Sequence, residues 1–77
     1  MNKNEKLLRR ISLEDRKRIK IAISLIERGR FMTLDVKKLS GAENEYRARI
    51  GKFRIKFLVH ENYYEVIEII RRSDHTY

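Results

Sequence analysis

Five basic residues, Arg47, Arg49, Lys52, Arg54 and Lys56, crowd a ten-residue stretch that contains no acidic residue. The stretch divides into Tyr46-Arg47-Ala48-Arg49-Ile50 and Phe53-Arg54-Ile55-Lys56-Phe57, each alternating strictly about Gly51-Lys52. Side chains in a strand alternate faces with period two, so this is the pattern of a β-hairpin. A two-residue loop with Gly first suits a type II′ turn. The implied register sets Ile50 opposite Phe53, Ala48 opposite Ile55 and Tyr46 opposite Phe57 on an apolar face. It sets Arg49 opposite Arg54 and Arg47 opposite Lys56 on the other. Like charges facing each other destabilise a sheet. Four converging cations therefore point to an anionic partner, most simply a phosphate backbone, ahead of a merely solvated outer face. Arginine dominates, and its planar, permanently charged fork matches phosphate oxygens.

A second group, Arg71, Arg72, Asp74, His75 and Tyr77, gathers at the end of the chain. If the strand before it pairs with the hairpin, these residues lie at one sheet edge near the basic face. Histidine can transfer protons near neutral pH. An ordinary frayed terminus is an equally good reading of the spacing alone. His60 and His75 have no partners at metal-ligand spacing. There is no Gly-rich phosphate loop and no nucleophilic Cys. Glu65 and Glu68 do not have the i, i+2 spacing of a same-face strand pair. Tyr46, Phe53 and Phe57 share the apolar face and read as core, not as a base-stacking platform.

The elements that position these residues are few. At 77 residues the chain is one small domain (1–77), which buries only about 60% of its unfolded surface. A first helix is expected from Lys3 to Arg10, with Leu7, Leu8 and Ile11 apolar. Ser12 reads as an N-cap with Asp15 at the third helical position, a capping-box variant. A second helix runs from Leu13 to about Arg28, with Ile19, Ala22, Ile23 and Ile26 as its apolar stripe, and Gly29 just past its end. Arg16, Lys17, Arg18 and Lys20 read as a solvated helix face. Residues 30–44 form a connector pinned to the core by Phe31, Met32, Leu34, Val36 and Leu39. After the hairpin, His60-Glu61-Asn62 makes a turn and Tyr64 to Arg71 forms a third strand. Its face is ambiguous, because Ile67 and Ile69 compete with Val66 and Ile70 for the core. The expectation is an α+β domain, two N-terminal helices packed on a three-stranded antiparallel sheet.

The net charge of +8 and a sequence pI near 10.1 are physical arguments for an anionic partner. There is no Cys, hence no disulfide framework. No stretch approaches the roughly 20 apolar residues of a membrane span, and none has the form of a signal peptide. A cytoplasmic protein without a membrane partner is the expectation.

The segments Lys37-Lys38-Leu39-Ser40-Gly41 and Glu45 to Phe57, followed by the third strand and Arg71-Arg72-Ser73-Asp74-His75-Thr76-Tyr77, resemble the RelE/ParE superfamily of type II toxin–antitoxin toxins. The K-L-x-G and Y-R-x-R-x-G-x-[YF]-R patterns carry most of the specificity. The resemblance implies two helices on an antiparallel sheet. For the ribonuclease branch it implies cleavage of mRNA in the ribosomal A site without metal or other cofactor. There the ribose 2′-hydroxyl is the nucleophile, and a cyclic phosphate and a 5′-hydroxyl are the products. On this likeness Arg47 and Arg49 match the strand contacting mRNA and the reaction centre. Arg54 matches the arginine that stabilises charge on the scissile phosphate. Arg71 or Arg72 matches a further phosphate-binding arginine, and Tyr77 a tyrosine that positions or deprotonates. His75 lies near a histidine used by some relatives. Lys37, Lys38, Lys52, Lys56 and Arg72 complete the implied RNA-binding set. The implied partners are a cognate acidic antitoxin, forming a heteromer, and the ribosome with its mRNA. The family opens with an edge strand of the form I-x-[FY], whereas Asn2-Lys3-Asn4-Glu5 leads directly into a helix. It also continues past the tyrosine, whereas Tyr77 is the last residue here. Two other readings stay open: a ParE-like, non-enzymatic gyrase inhibitor, and a shortened, inactive relative that only binds antitoxin or RNA.

Overall fold

The computed structural model describes residues 3–39, 41 and 43–71. Two helices, α1 (Lys3–Arg10) and α2 (Leu13–Glu27), precede a short 3-10 turn (Phe31–Thr33) and four strands. The strands are β1 (Asp35–Lys38), β2 (Glu45–Ile50), β3 (Phe53–Val59) and β4 (Tyr64–Arg71). All neighbours pair antiparallel in the order β1-β2-β3-β4. The α+β architecture agrees with the sequence, but the sheet has four strands and not three. The extra strand, β1, falls within the expected connector and pairs with β2 through Val36 opposite Ala48 and Lys37 opposite Arg47. With one apolar residue among four, it shows almost no alternation to read.

Helix α2 forms for local reasons. The Ser12 side chain accepts a hydrogen bond from the Asp15 backbone N–H at 3.1 Å, satisfying one of the unpaired donors of the first turn. The helix ends in a Schellman motif, with Gly29 N–H donating to the Ile26 carbonyl and Arg30 N–H to the Leu25 carbonyl. Gly29 has φ +73° there, and a Cβ at that position would lie 2.8 Å from the Tyr64 ring. Conformation and packing both require glycine at this site.

The core lies between α2 and the sheet. Ile19, Ala22 and Ile26 of α2 meet Ala48, Phe53, Ile55, Phe57 and Ile69, all buried. Fully burying a side chain such as Phe57 or Ile55 contributes roughly 1.5–3 kcal/mol. Aromatic rings extend this layer, with Phe31 5.1 Å and Tyr46 5.7 Å from Phe57 between centroids. Phe31, Leu34 and Val36 pack on the core as expected. Met32 does not, being 92% exposed. Leu39 turns to the opposite face of the sheet, where it lines a pocket with Arg47 and Arg54.

The face of β4 is decided by a bulge. Lys56 pairs with Glu68, whereas the next residue, Phe57, pairs with Val66, so Ile67 is an extra residue on β4. An inserted residue reverses the facing of everything beyond it. Val66 packs toward the helices before the bulge and Ile69 after it; Ile67 and Ile70 are exposed. The two competing sets of the sequence reading each supply one core residue. The bulge is held by α1. Asn4 Nδ2 donates to the Ile67 carbonyl at 3.2 Å, and Ile69 N–H donates to Asn4 Oδ1 at 3.0 Å. A backbone carbonyl only accepts and an N–H only donates, so these partners fix the amide's orientation.

Candidate nucleic-acid interface

The hairpin register is the one the alternation implies. Ile50 faces Phe53, Arg49 faces Arg54, Ala48 faces Ile55, Arg47 faces Lys56 and Tyr46 faces Phe57. Gly51 has φ +55° and no other residue type adopts positive φ among the described residues. Lys52 is thus on the negative side, as the second position of a type II′ turn requires and a type I′ turn forbids.

The outer face, away from the helices, can be read in rows across the four strands. Nearest the hairpin tip lie Asp35, Arg49, Arg54 and Ile70. The second row holds Lys37, Arg47, Lys56 and Glu68. Beyond it come Glu45, Leu58 and Glu65. The face therefore changes sign along the strands, cationic at the tip and acidic toward the β3–β4 turn. Lys56 is tied into the acidic end, its Nζ 3.0 Å from Glu45 Oε1. Taking the hairpin only from Tyr46 hides this pair; one more residue of alternation places Glu45 on the same face, diagonal to Lys56. Among the described residues, Arg47, Arg49, Arg54 and Lys37 are the outer-face cations without an ion pair.

Arg54 sits in the middle of this surface. Its Nε is buried and has no hydrogen-bond partner among the described residues. A buried, unmatched donor costs roughly 1–3 kcal/mol, more when charged, and such a group in a native structure calls for an explanation. Beside it Leu39, Arg47, Arg54, Lys56 and Ile70 line a shallow pocket of about 220 Å³. A neighbouring one of about 200 Å³ is lined by Asp35, Lys37, Arg47 and Arg49. Arg47 is common to both. Both lie over the first and second rows, and their lining is mostly cationic with an apolar margin at Leu39 and Ile70. A phosphate there would meet several guanidinium groups at once.

The structure separates other residues from this group. Lys38 pairs with Tyr46 and so shares the parity of the helix-facing side. Arg71 pairs with Phe53, beyond the bulge, and by the same alternation lies on the helix side of the sheet. In a regular ladder running on from Val66, with Ile67 paired and not bulged, Arg71 would share the face of Arg54. Lys52 stands at the turn, exposed. Arg72, His75 and Tyr77, with Ser40 of the K-L-x-G segment, lie outside the described residues. The other histidine, His60, is committed to the β3–β4 turn. Its Nε2 is 2.8 Å from Glu65 Oε1, and its ring stacks on Tyr63 at 4.3 Å. Among the described residues no group of three or more His, Cys, Asp or Glu side chains converges as metal ligands would. No helix among them is long and apolar enough to cross a membrane.

No family model matches the chain, and no curated protein matches it. Among solved structures the chain is similar to one from the RelB–RelE antitoxin–toxin complex of Methanococcus jannaschii, at 27% identity and a TM-score of 0.74. The likeness covers 92% of this chain and 86% of the other. It spans both the helices and the sheet, well beyond the basic hairpin whose motifs first indicated it. On fold, register and this likeness together, the chain is similar to a RelE-like toxin–antitoxin protein.

Proposed function

We propose that the chain is the toxin of a type II toxin–antitoxin pair and that it inhibits translation by cleaving mRNA on the ribosome. The observation that carries this reading is Arg54: a buried guanidinium Nε without a partner among the described residues, beside Arg47 and Arg49 on one face. In the proposed reaction the ribose 2′-oxygen attacks the adjacent phosphorus and the bond to the 5′-oxygen breaks. The products are a 2′,3′-cyclic phosphate and a 5′-hydroxyl. Negative charge grows on the non-bridging oxygens in the transition state. Arg54 and Arg49 stabilise that charge, an effect worth roughly 3–4 kcal/mol for one well-aimed donor. Arg47 and Lys37 hold neighbouring phosphates. Tyr77 is assigned the proton transfer at the 2′-oxygen, with Arg72 and His75 as its neighbours in sequence. An acidic antitoxin covering the outer face is the matching inhibitor, consistent with the antitoxin–toxin assembly of the structural neighbour. The setting is the cytoplasm.

The test is controlled expression in cells with mapping of mRNA 5′ ends. New 5′-hydroxyl ends within translated codons, lost in Arg54→Gln at equal soluble level, are the expected result. Growth arrest without such ends would overturn the nuclease reading in favour of a binding target such as gyrase. One observation favours that second reading: Arg71, matched by resemblance to a phosphate-binding arginine, has the parity of the face opposite Arg54.

A further inference from the structure

The cationic area of the outer face is closed on two sides. Toward β4 the first row ends at exposed Ile70 and the second at Glu68. Behind the second row Glu45 neutralises Lys56, and Glu65 lies beyond. On β1 Asp35 ends the first row, while Lys37 extends the second to the sheet edge. A polyanion lying on Arg47, Arg49 and Arg54 meets carboxylates or an apolar side chain toward β4 and toward the acidic end. The side nearest Arg49 and Arg54 is the hairpin tip.

There the positive charge continues. Lys52 occupies the turn itself and is exposed. Behind it α2 brings Arg18 to the same place, its Nη1 lying 3.9 Å from where a Cβ at Gly51 would be. Arg71 closes the group from β4, its register partner Phe53 being the first residue after the turn. Three cations from three separate elements thus surround one two-residue loop. None has an ion-pair partner among the described residues. The expectation from the sequence is a solvated helix face for Arg18 and, by resemblance, a phosphate-binding place near the basic face for Arg71. The fold removes each from that setting and brings both to the helix side of the tip. Holding like charges together costs stability, and the turn's glycine leaves the backbone there uncovered by a side chain.

We infer that Lys52, Arg18 and Arg71 form a second phosphate-holding group, so that a single RNA strand crosses the outer face at Arg47, Arg49 and Arg54 and continues around the hairpin tip to the helix side. The inference rests on the outer face binding RNA, as proposed above. It assigns Arg71 to strand positioning and not to the chemical step. Phosphate contacts fix register and orientation without reading sequence, and each neutralised phosphate adds to the salt dependence of binding.

The experiment is fluorescence anisotropy of a labelled uridine dodecamer with the full chain over a salt series. The slope of log affinity against log salt falls by about 0.7 per lost contact on single strands. The triple variant Arg18→Gln, Lys52→Gln, Arg71→Gln should lose about 2 units of slope. The variant Lys6→Gln, Arg28→Gln, Arg30→Gln removes equal charge from elsewhere and should change the slope little. Equal losses in both triples, with Arg47→Gln, Arg54→Gln still strongly impaired, would overturn the tip path and leave the outer face standing. No loss in Arg47→Gln, Arg54→Gln would overturn the outer-face reading itself, and failure of the wild-type chain to bind would overturn both. Displacement of the RNA by a polyglutamate peptide, with the same response to the tip variants, would replace RNA by an acidic protein as the occupant. Circular dichroism of each variant checks that the fold is retained.

Discussion

Arg49 and Arg54 are register partners across the β2–β3 ladder, two guanidinium groups on one face with no ion pair to either among the described residues. Directly opposed like charges in a sheet are destabilising, by an amount comparable to the ~0.2–1 kcal/mol that a favourable pair contributes. Arg54→Thr removes the repulsion, leaves Arg49 opposite Asp35 and places a β-prone residue in the strand. A gain of about 0.5 kcal/mol would raise the melting temperature of so small a domain by roughly 2–4 °C. The same change should weaken binding of single-stranded RNA. Thermal unfolding and anisotropy on the same preparation check both signs, and a variant that loses stability would contradict the account of the pair.

Lys56 and Arg47 are also register partners, yet they should respond differently. Lys56 is paired with Glu45 at 3.0 Å, whereas Arg47 lines both outer-face pockets. Arg47→Gln should reduce the salt slope of RNA binding by about 0.7, and Lys56→Gln by clearly less. Glu45→Gln releases Lys56 and should tighten binding at low salt. If Lys56→Gln proves as damaging as Arg47→Gln, the ion pair does not hold the lysine back.

Asn4→Ala removes both partners of the β4 bulge, leaving the Ile67 carbonyl and the Ile69 N–H to find water. The site is partly exposed, so the cost belongs at the low end of the range for an unsatisfied group, about 1 kcal/mol. Hydrogen exchange should accelerate at the Ile69 amide more than at core amides of β3. Asn4→Asp keeps the acceptor for Ile69 N–H but loses the donor to Ile67, so it should protect that amide better than alanine does.

Gly29→Ala forces a side chain into positive φ, a cost of roughly 1–2 kcal/mol, and drives a Cβ to 2.8 Å from the Tyr64 ring. The expected loss of stability exceeds 1 kcal/mol. Adding Tyr64→Ala should recover part of the steric component and none of the backbone component. Chemical denaturation of the single and double variants separates the two.

What could be read in the sequence was what depends on short, regular spacing. The hairpin register follows from strict alternation about Gly51-Lys52, and the start of α2 follows from Ser12 and Asp15. What could not be read depends on non-local pairing. Asp35–Lys38 becomes a strand only because β2 is beside it. Ile67 is an insertion only relative to β3, and Asn4, on the first helix, is what holds it. The face of Arg71 inherits that insertion, so one unseen residue moved a proposed site residue to the other side of the sheet. The unpartnered Nε of Arg54 is likewise invisible in composition, since burial of a single atom is a property of the assembled face.

The Asn4 side chain has a consequence for self-assembly. A sheet can grow at either free edge, and unpaired edges template fibres. On β4 the Ile67 carbonyl and Ile69 N–H, which an incoming strand would need, are already taken by α1. On β1 no helix plays that part among the described residues, and the exposed edge is flanked by Lys37 and Lys38. The sheet is therefore one-ended. Two copies joined edge to edge at Asp35–Lys38 would present only stapled edges to a third, so growth by strand addition terminates at a pair and does not propagate.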